Sequence, residues 1–171
     1  IEELEAVLVE AAGVEADPRR AAAYWDRIAA LRTERMDDVP GGLQALERAV
    51  QLDPDNPATV ERLLASYRAQ HDLEAFVELV GRIQDGVLPG EKLVDVWLER
   101  ARILGEQLDR REEAIESYQR ALELEPELLQ AHRALADLYF EQGMWAQARE
   151  AVERVLQTAG DAGLSGPGGT E

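Results

Sequence analysis

The chain has 171 residues, which is long enough for one ordinary domain with a substantial core. It contains no cysteine, which excludes a disulfide framework and any thiolate metal site. Its formal net charge of −17 argues against nucleic-acid binding and indicates an acidic, solvated surface, with a preference for basic partners as the alternative interpretation.

Charged residues interrupt the apolar ones along the whole chain, so neither a signal peptide nor a membrane-spanning segment is predicted. The chain begins with Ile1 rather than methionine, from which we expect a segment of a longer protein. Localisation cannot be read from such a segment, and the cytoplasm is the default expectation. Arginine greatly outnumbers lysine, with Lys92 as the single lysine, which is typical of a GC-rich bacterial genome.

Helical spacing runs through the chain, and no segment alternates apolar and polar residues as a half-buried strand would. For example, the apolar residues from Val60 to Tyr67 follow the i, i+3, i+4, i+7 pattern of a single helical stripe. Patterns of this kind predict nine helices, at residues 2–14, 18–35, 39–52, 57–70, 73–86, 90–107, 111–124, 128–142 and 145–158.

Capping residues mark the beginnings of several predicted helices. Asn56 is a preferred N-cap, and the proline that follows it suits the first helical position. Pro40 suits the first turn of a helix that begins near Val39, and Asp72 can cap a helix that begins at Leu73. Asp109, with a glutamate three residues later, forms a variant of the capping box.

The predicted helical region ends before a glycine-rich tail. Gly143 is expected to close the helix that ends at Gln142. Residues 159–171 contain five glycines and a proline but no apolar stripe, which predicts a flexible segment.

The sequence repeats itself at an offset of 72 residues, so that Pro54 falls on Pro126. The other matched residues are also large or special ones: Trp25 and Trp97, Ala29 and Ala101, Asp37 and Asp109, Leu52 and Leu124, Leu63 and Leu135, Tyr67 and Tyr139. A period of 72 equals two units of about 36 residues, each a helix pair that cannot bury its apolar face alone. The chain is therefore predicted to be a solenoid.

The repeated units resemble the tetratricopeptide repeat, a helix-turn-helix unit with small residues at the helix crossing and a closing proline. Three of the four units match the family pattern best. The matching residues are Trp25, Ala29, Gly42, Leu46, Ala49 and Pro54 in the first unit, Trp97, Ala101, Leu104, Ala114, Tyr118, Ala121 and Pro126 in the third, and Leu135, Ala136, Tyr139, Gly143 and Ala148 in the fourth. The second unit matches less well, since Phe76 stands where alanine is expected. Similar long-period arrays occur in very large repeat proteins of GC-rich bacteria.

The resemblance implies an all-α, right-handed superhelix of helix-turn-helix units. Its expected organisation is a half repeat at 1–15, followed by repeats at about 18–54, 57–88, 90–126 and 128–158.

Candidates for catalysis or metal binding are poor, so no catalytic site, metal site or cofactor is expected. His71 lies where the family prefers glycine in its turn, and His132 has no second ligand at the spacing a helical metal site needs. Asp37 and Asp38 are better explained as capping residues than as metal ligands. The glycines near residue 168 neither follow a strand nor precede a helix, so they do not form a phosphate loop.

The resemblance places a concave groove along the first helix of each unit, and we call the charged or large residues expected there the predicted groove. These residues are Asp26, Glu34, Glu61, Arg68, Asp95, Leu98, Arg102, Glu106, Arg133, Asp137, Phe140 and Glu141. Small residues such as Ala30 leave room beside them, and Leu98 and Phe140 are the expected apolar anchors. A solvated face without any ligand is the alternative.

Acidic residues outnumber basic ones in the predicted groove by seven to three, which favours ligands that carry lysine or arginine. The lysines and asparagines with which chaperone-binding relatives hold a carboxylate are missing, so that role is not expected. The resulting hypothesis is a non-catalytic scaffold that binds a protein or peptide segment. The alternatives are a regulatory or substrate-docking arm of a larger enzyme and an enzyme in its own right, and self-association is left open.

Overall fold

The computed structural model describes the backbone of residues 1–164 and the side chains of residues 1–160. This part of the chain contains nine α-helices and no β-strand. The helices are α1 (Glu2–Val14), α2 (Pro18–Arg35), α3 (Val39–Leu52), α4 (Pro57–Gln70), α5 (Leu73–Val80), α6 (Gly90–Arg102), α7 (Arg111–Leu124), α8 (Leu129–Glu141) and α9 (Trp145–Leu164). A short π-helix, Ile103–Gln107, continues directly from α6. The predicted all-α class is confirmed.

The largest differences from the predicted helix ends are at the C-termini of α5 and α9. Helix α5 stops at Val80 instead of residue 86, because Gly81 begins a series of turns in which Arg82 and Ile83 bond back only three residues. The sequence pattern missed this end because Ile83 and Val87 keep the apolar spacing of a helix through the turns. Helix α9 continues to Leu164, six residues into the predicted flexible tail, and the rest of that tail lies outside the described residues.

The predicted N-caps of three helices are present. The Asn56 side chain accepts hydrogen bonds from the backbone N–H groups of the second and third helical residues of α4, at 3.1 and 3.3 Å. Asp38 caps α3 by accepting from Gly41 at 2.9 Å, and Asp72 caps α5 by accepting from Ala75 at 3.1 Å. Each cap satisfies backbone donors that the helix itself leaves without a partner.

The predicted capping box at Asp109 is absent. Asp109 has a left-handed backbone with φ of 51°, and its carboxylate lies 3.0 Å from the guanidinium of Arg111. The N-cap of α7 is the next residue, Arg110, and its side chain makes no capping hydrogen bond. Asp109 therefore belongs to the turn before α7 and is not its N-cap, because its left-handed backbone places it one residue too early.

The described chain forms two compact units, of which the first is Ile1–Leu88 and the second begins at Pro89. In the first unit α2 packs on α3 through small residues. Ala29 of α2 is fully buried, and Gly42 of α3 lies next to it. A Cβ atom at Gly42 would lie 2.1 Å from Thr33 Oγ1 and 3.2 Å from the Ala29 carbonyl oxygen. A side chain at this position would thus force Thr33 to turn away and the two helices to move slightly apart, which glycine avoids.

The offset of 72 residues seen in the sequence is repeated in the contacts of the two units. In the first unit the Tyr67 hydroxyl donates a hydrogen bond to Glu47 Oε1 at 3.0 Å. In the second unit, at the equivalent positions, the Tyr139 hydroxyl accepts a hydrogen bond from Gln119 Nε2 at 2.9 Å. The turns match as well, because Asp37 has a φ of 53°, close to that of Asp109. The internal repeat is thus structural as well as sequential.

Candidate interaction surfaces

Two charged residues of the predicted groove in the first unit contribute to packing. Asp26 Oδ1 lies 2.5 Å from Arg62 Nη1 and accepts a 3.5 Å hydrogen bond from Thr59, which joins α2 to α4. The guanidinium of Arg68 lies 5.0 Å from the ring centre of Phe76, an arrangement that favours the cation.

The other two predicted groove residues of this unit differ in exposure. Glu34 is exposed, whereas Glu61 is half-buried. Glu34 is thus more accessible to a ligand than Glu61.

In the second unit the anchor predicted at Leu98 is wrong, because its side chain is 2% exposed and belongs to the core. Helix α6 is buried on more than one side, so its apolar residues are distributed more broadly than a single stripe. Phe140, by contrast, is 65% exposed, and its ring makes an edge-on contact with Trp145 at 5.1 Å between ring centres. Glu141 lies 3.7 Å from Arg111, and its side chain remains more than half exposed.

Five further predicted groove residues of the second unit are exposed: Asp95, Arg102, Glu106, Arg133 and Asp137. Their exposure is compatible with contact to a ligand.

A cleft of about 300 Å³ lies between α1 and α2, and we call it the α1–α2 cleft. Its lining residues are Leu4 and Leu8 from α1 and Arg27, Ala30, Leu31, Glu34 and Arg35 from α2. Sequence reasoning had placed Ala30 and Glu34 in the groove but missed the others. The sequence did contain a pattern that could have revealed three of the missed residues. Arg27, Leu31 and Arg35 are spaced four residues apart, which puts them on one side of α2.

A second cleft, of about 500 Å³, lies among α3, α4 and α5 in the first unit. Its lining combines apolar residues such as Val60, Leu63 and Leu79 with the paired Glu47 and Tyr67 and with Arg82. Burial, reinforced by the hydrogen bond to Glu47, raises the pKa of the Tyr67 hydroxyl well above its usual range. Tyr67 therefore stays protonated and keeps donating to Glu47 at neutral pH.

An ionic network around the buried Arg100 joins α6 to α7. The Arg100 side chain, 9% exposed, donates to Ser117 Oγ at 2.5 Å and lies 3.5 Å from the Glu113 carboxylate. Arg110 donates two hydrogen bonds to Glu113, at 2.6 and 2.7 Å. These bonds hold the pKa of the Glu113 carboxyl below its ordinary value. The network supplies the partners that a buried guanidinium needs, since a buried charge without a partner is costly.

The Trp97 ring lies next to this network. Arg100 lies 5.5 Å from its ring centre, and the indole Nε1 is buried without a hydrogen-bond partner within the described residues.

Apolar side chains are exposed on one side of α1 and of α9. On α1 they include Leu4, Val7 and Val14, and on α9 they include Trp145 and Leu156. Single exposed apolar residues are ordinary, but several along one helix mark a surface that water solvates poorly.

The described residues include neither a cluster suited to a metal ion nor a helix suited to crossing a membrane. Across the described side chains, no group of three or more histidine or acidic residues could hold a metal ion. The His132 ring already has a hydrogen-bond partner, since its Nε2 lies 2.8 Å from the Pro126 carbonyl oxygen. None of the helices described here is both long and apolar enough to cross a membrane.

Repeated helix pairs, tight turns and small residues at the helix crossings together define a helix-turn-helix repeat protein of the solenoid type. Sequence models described as TPR repeat and tetratricopeptide repeat match residues 107–143 and 131–161, respectively. Residues 107–161 thus match tetratricopeptide repeat models, and the predicted resemblance is confirmed.

Solved structures support the same fold over most of the chain. A crystal structure of MamA is 14% identical, with a TM-score of 0.53 over 86% of this chain and 83% of that one. The AMB-1 MamA structure is 25% identical, with a TM-score of 0.52 over 86% and 74%. PilF of Pseudomonas aeruginosa is 16% identical, with a TM-score of 0.50 over 99% and 70%. No curated protein sequence matches the chain. The repeats support a protein–protein interaction scaffold with protein partners.

Proposed function

We propose that this protein is a non-catalytic scaffold whose predicted groove binds a basic peptide or protein segment. The observation that carries the proposal is on α8. The exposed ring of Phe140 stands in the sequence between two residues with exposed carboxylates, Asp137 and Glu141. An apolar anchor flanked by negative charge suits a ligand that presents an apolar side chain next to lysine or arginine.

The contacts of these residues leave them available to a ligand. Phe140 touches Trp145 edge-on, so one large aromatic surface is formed from two helices and remains in contact with water. The 3.7 Å pair between Glu141 and Arg111 is long and exposed, and such pairs contribute little stability. An incoming lysine or arginine can therefore replace Arg111 as the partner of Glu141.

The non-catalytic part of the proposal is supported by two titratable groups with shifted pKa values, Tyr67 and Glu113. Tyr67 is protonated and bonded to Glu47, and Glu113 is held by Arg110. Both pairs link side chains of the helical framework. Neither presents a free acid or base to a reactant, as general acid–base catalysis requires.

The test is fluorescence anisotropy with a labelled peptide that has a central phenylalanine flanked by lysines. We expect Asp137→Arg combined with Glu141→Arg to weaken binding by about tenfold or more at low salt, because attraction is replaced by repulsion. The variant should also show a smaller dependence of affinity on salt, while its circular dichroism stays unchanged.

The matched control is Glu116→Arg with Glu150→Arg, since both residues are exposed and the change in net charge is the same. This control should lose little affinity. Unchanged binding by the Asp137/Glu141 variant at low salt, or an equal loss in the control, would refute this surface as the site.

A further inference from the structure

The α1–α2 cleft carries positive charge that is not used within the protein. Arg27 and Arg35 are exposed, and neither side chain makes a hydrogen bond or ion pair with any described residue. Nearby Arg32 behaves differently, with its Nε lying 2.6 Å from Glu5 Oε1. In a chain with a net charge of −17, two unpaired arginines at one cleft are a local reversal of the surface charge.

The two arginines flank an apolar floor. Arg27, Leu31 and Arg35 follow each other at four-residue intervals along α2, so the arginines are about 12 Å apart along the helix axis with the leucine midway. Leu4 and Leu8 of α1 complete the floor, and Leu4 is 55% exposed. The cleft thus offers one apolar position between two cationic ones.

The cleft is held in shape before any ligand arrives. The Arg32–Glu5 ion pair joins α2 to α1, and Arg32 Nη1 also donates to the Gly41 carbonyl at 3.2 Å. Both side chains of the ion pair are mostly buried, which reduces screening of the contact by water. A preformed site loses less conformational freedom on binding than one that must assemble.

The spacing identifies the ligand. In an extended peptide alternate side chains point to the same side and recur at roughly 6.6 Å, close to the about 6 Å between successive cleft positions on α2. We infer that the α1–α2 cleft binds an extended segment in which acidic residues stand two positions before and two after one large apolar residue. The volume of about 300 Å³ is at the low end for ligand clefts, which suits a single anchoring side chain.

Glu34 is the one carboxylate in the lining, so the two guanidinium groups outnumber it. The cleft shares Glu34 with the predicted groove, but it is distinct from the α8 surface on which the proposed function rests. It lies in the first unit and takes an acidic segment, whereas the α8 surface takes a basic one, so each proposal can fail without the other.

The test is anisotropy at low salt with a labelled peptide that contains Glu-Ser-Leu-Ser-Glu within a neutral glycine–serine chain. Arg27→Gln with Arg35→Gln should weaken binding by about tenfold or more. Changing the peptide's glutamates to glutamine, or its leucine to alanine, should weaken binding by a similar factor, because each change removes one part of the complementarity.

The control variant is Arg20→Gln with Arg154→Gln, which makes the same change in net charge at exposed arginines outside the cleft. Its affinity should change by less than about twofold. The inference is overturned if the control loses as much affinity as the cleft variant, if the glutamine peptide binds as well as the glutamate peptide, or if no binding is detected. The basic peptide, assayed on the same proteins, reports on the α8 surface separately.

Discussion

Among the residues that the structure describes, three other than glycine have a left-handed backbone, and each one follows the end of a helix. They are Asp37, His71 and Asp109, with φ of 53°, 55° and 51°. At His71 this geometry lets the backbone N–H of the next residue, Asp72, bond to the Tyr67 carbonyl at 3.0 Å and so close α4. A side chain with a Cβ atom is strained in this conformation, whereas glycine is not.

We expect His71→Gly to raise the free energy of unfolding by about 0.5–1 kcal/mol, because relief of the strain outweighs the greater freedom of glycine in the unfolded chain. Urea denaturation followed by circular dichroism measures the change. His71→Ala keeps the Cβ atom and should give no such gain. A gain of equal size in the alanine variant would show that loss of the imidazole, and not of strain, was responsible.

Glu113 should give the second unit a recognisable pH dependence. Hydrogen bonds from Arg110 hold its pKa in the folded protein below the ordinary value of 4.5. The unfolded chain therefore takes up the proton first as the pH falls. The stability contributed by this group is complete above about pH 4.5 and is lost as the pH falls through the folded-state pKa.

Glu113→Gln should accordingly flatten the loss of stability on acidification, measured as the difference in unfolding free energy between wild type and variant across the acid range. Glu116→Gln, an exposed carboxylate on the same helix, is the control and should leave the slope nearly unchanged. If both variants lose stability equally as the pH falls, the Arg110–Glu113 contact does not stabilise the folded protein.

At the scale of helices, the pairing of α2 with α3 depends on the missing side chain at Gly42. We expect Gly42→Ala to lower the free energy of unfolding by about 1–3 kcal/mol, because the added methyl group collides with Thr33 and approaches the Ala29 carbonyl. Thermal and urea denaturation measure the loss.

Gly13 in α1 is the matched control, since no atom lies within 4 Å of an added Cβ. Gly13→Ala should leave stability unchanged or raise it by up to about 1 kcal/mol through helix propensity. A gain in stability for both variants would mean that α2 and α3 separate easily enough to accept the methyl group.

Helix boundaries were largely predictable because local chemistry determines them. Asn56 and Asp72 satisfy backbone donors of their own helices, so the sequence near the cap is sufficient evidence. The end of α5 was not predictable in this way, since Ile83 and Val87 continue the helical spacing while the backbone has already turned. Periodicity reports which side chains are buried, and a turn can bury them as well as a helix can.

The candidate surfaces were predictable to a smaller extent, because exposure depends on neighbouring helices. Phe140 was expected to be an accessible anchor and is exposed, but Leu98 is covered by the packing of α6. Arg27 and Arg35 stand out only once it is known that neither side chain has an ion-pair partner and that both line the α1–α2 cleft. Pairing between distant residues is a tertiary property, so a single sequence does not reveal it.

At the scale of the whole molecule, contacts divide the described chain into two compact units at Leu88. In repeat proteins each unit is stabilised mainly by its immediate neighbours. The first unit includes α1 to α5, with its own core around Ile28 and Leu64.

We therefore expect a fragment of residues 1–88 to fold alone, with a helical circular-dichroism spectrum and a cooperative urea transition. A fragment of residues 1–56, which retains α1 to α3 but lacks the α4 side of the Asp26–Arg62 ion pair, is the comparison and should be less stable. A helical but non-cooperative first fragment would contradict the expectation.

The early end of α5 has a consequence for local opening of the native protein. The eight residues of α5 are followed by turns in which Arg82 and Ile83 bond only three residues back, while α3 continues for 14 residues. Backbone amides in short, exposed turns exchange with deuterium through small fluctuations, whereas those of a packed helix need a larger opening. Exchange followed by mass spectrometry should thus label residues 81–86 well before the middle of α3, and equal protection would show that this segment opens only with its whole unit.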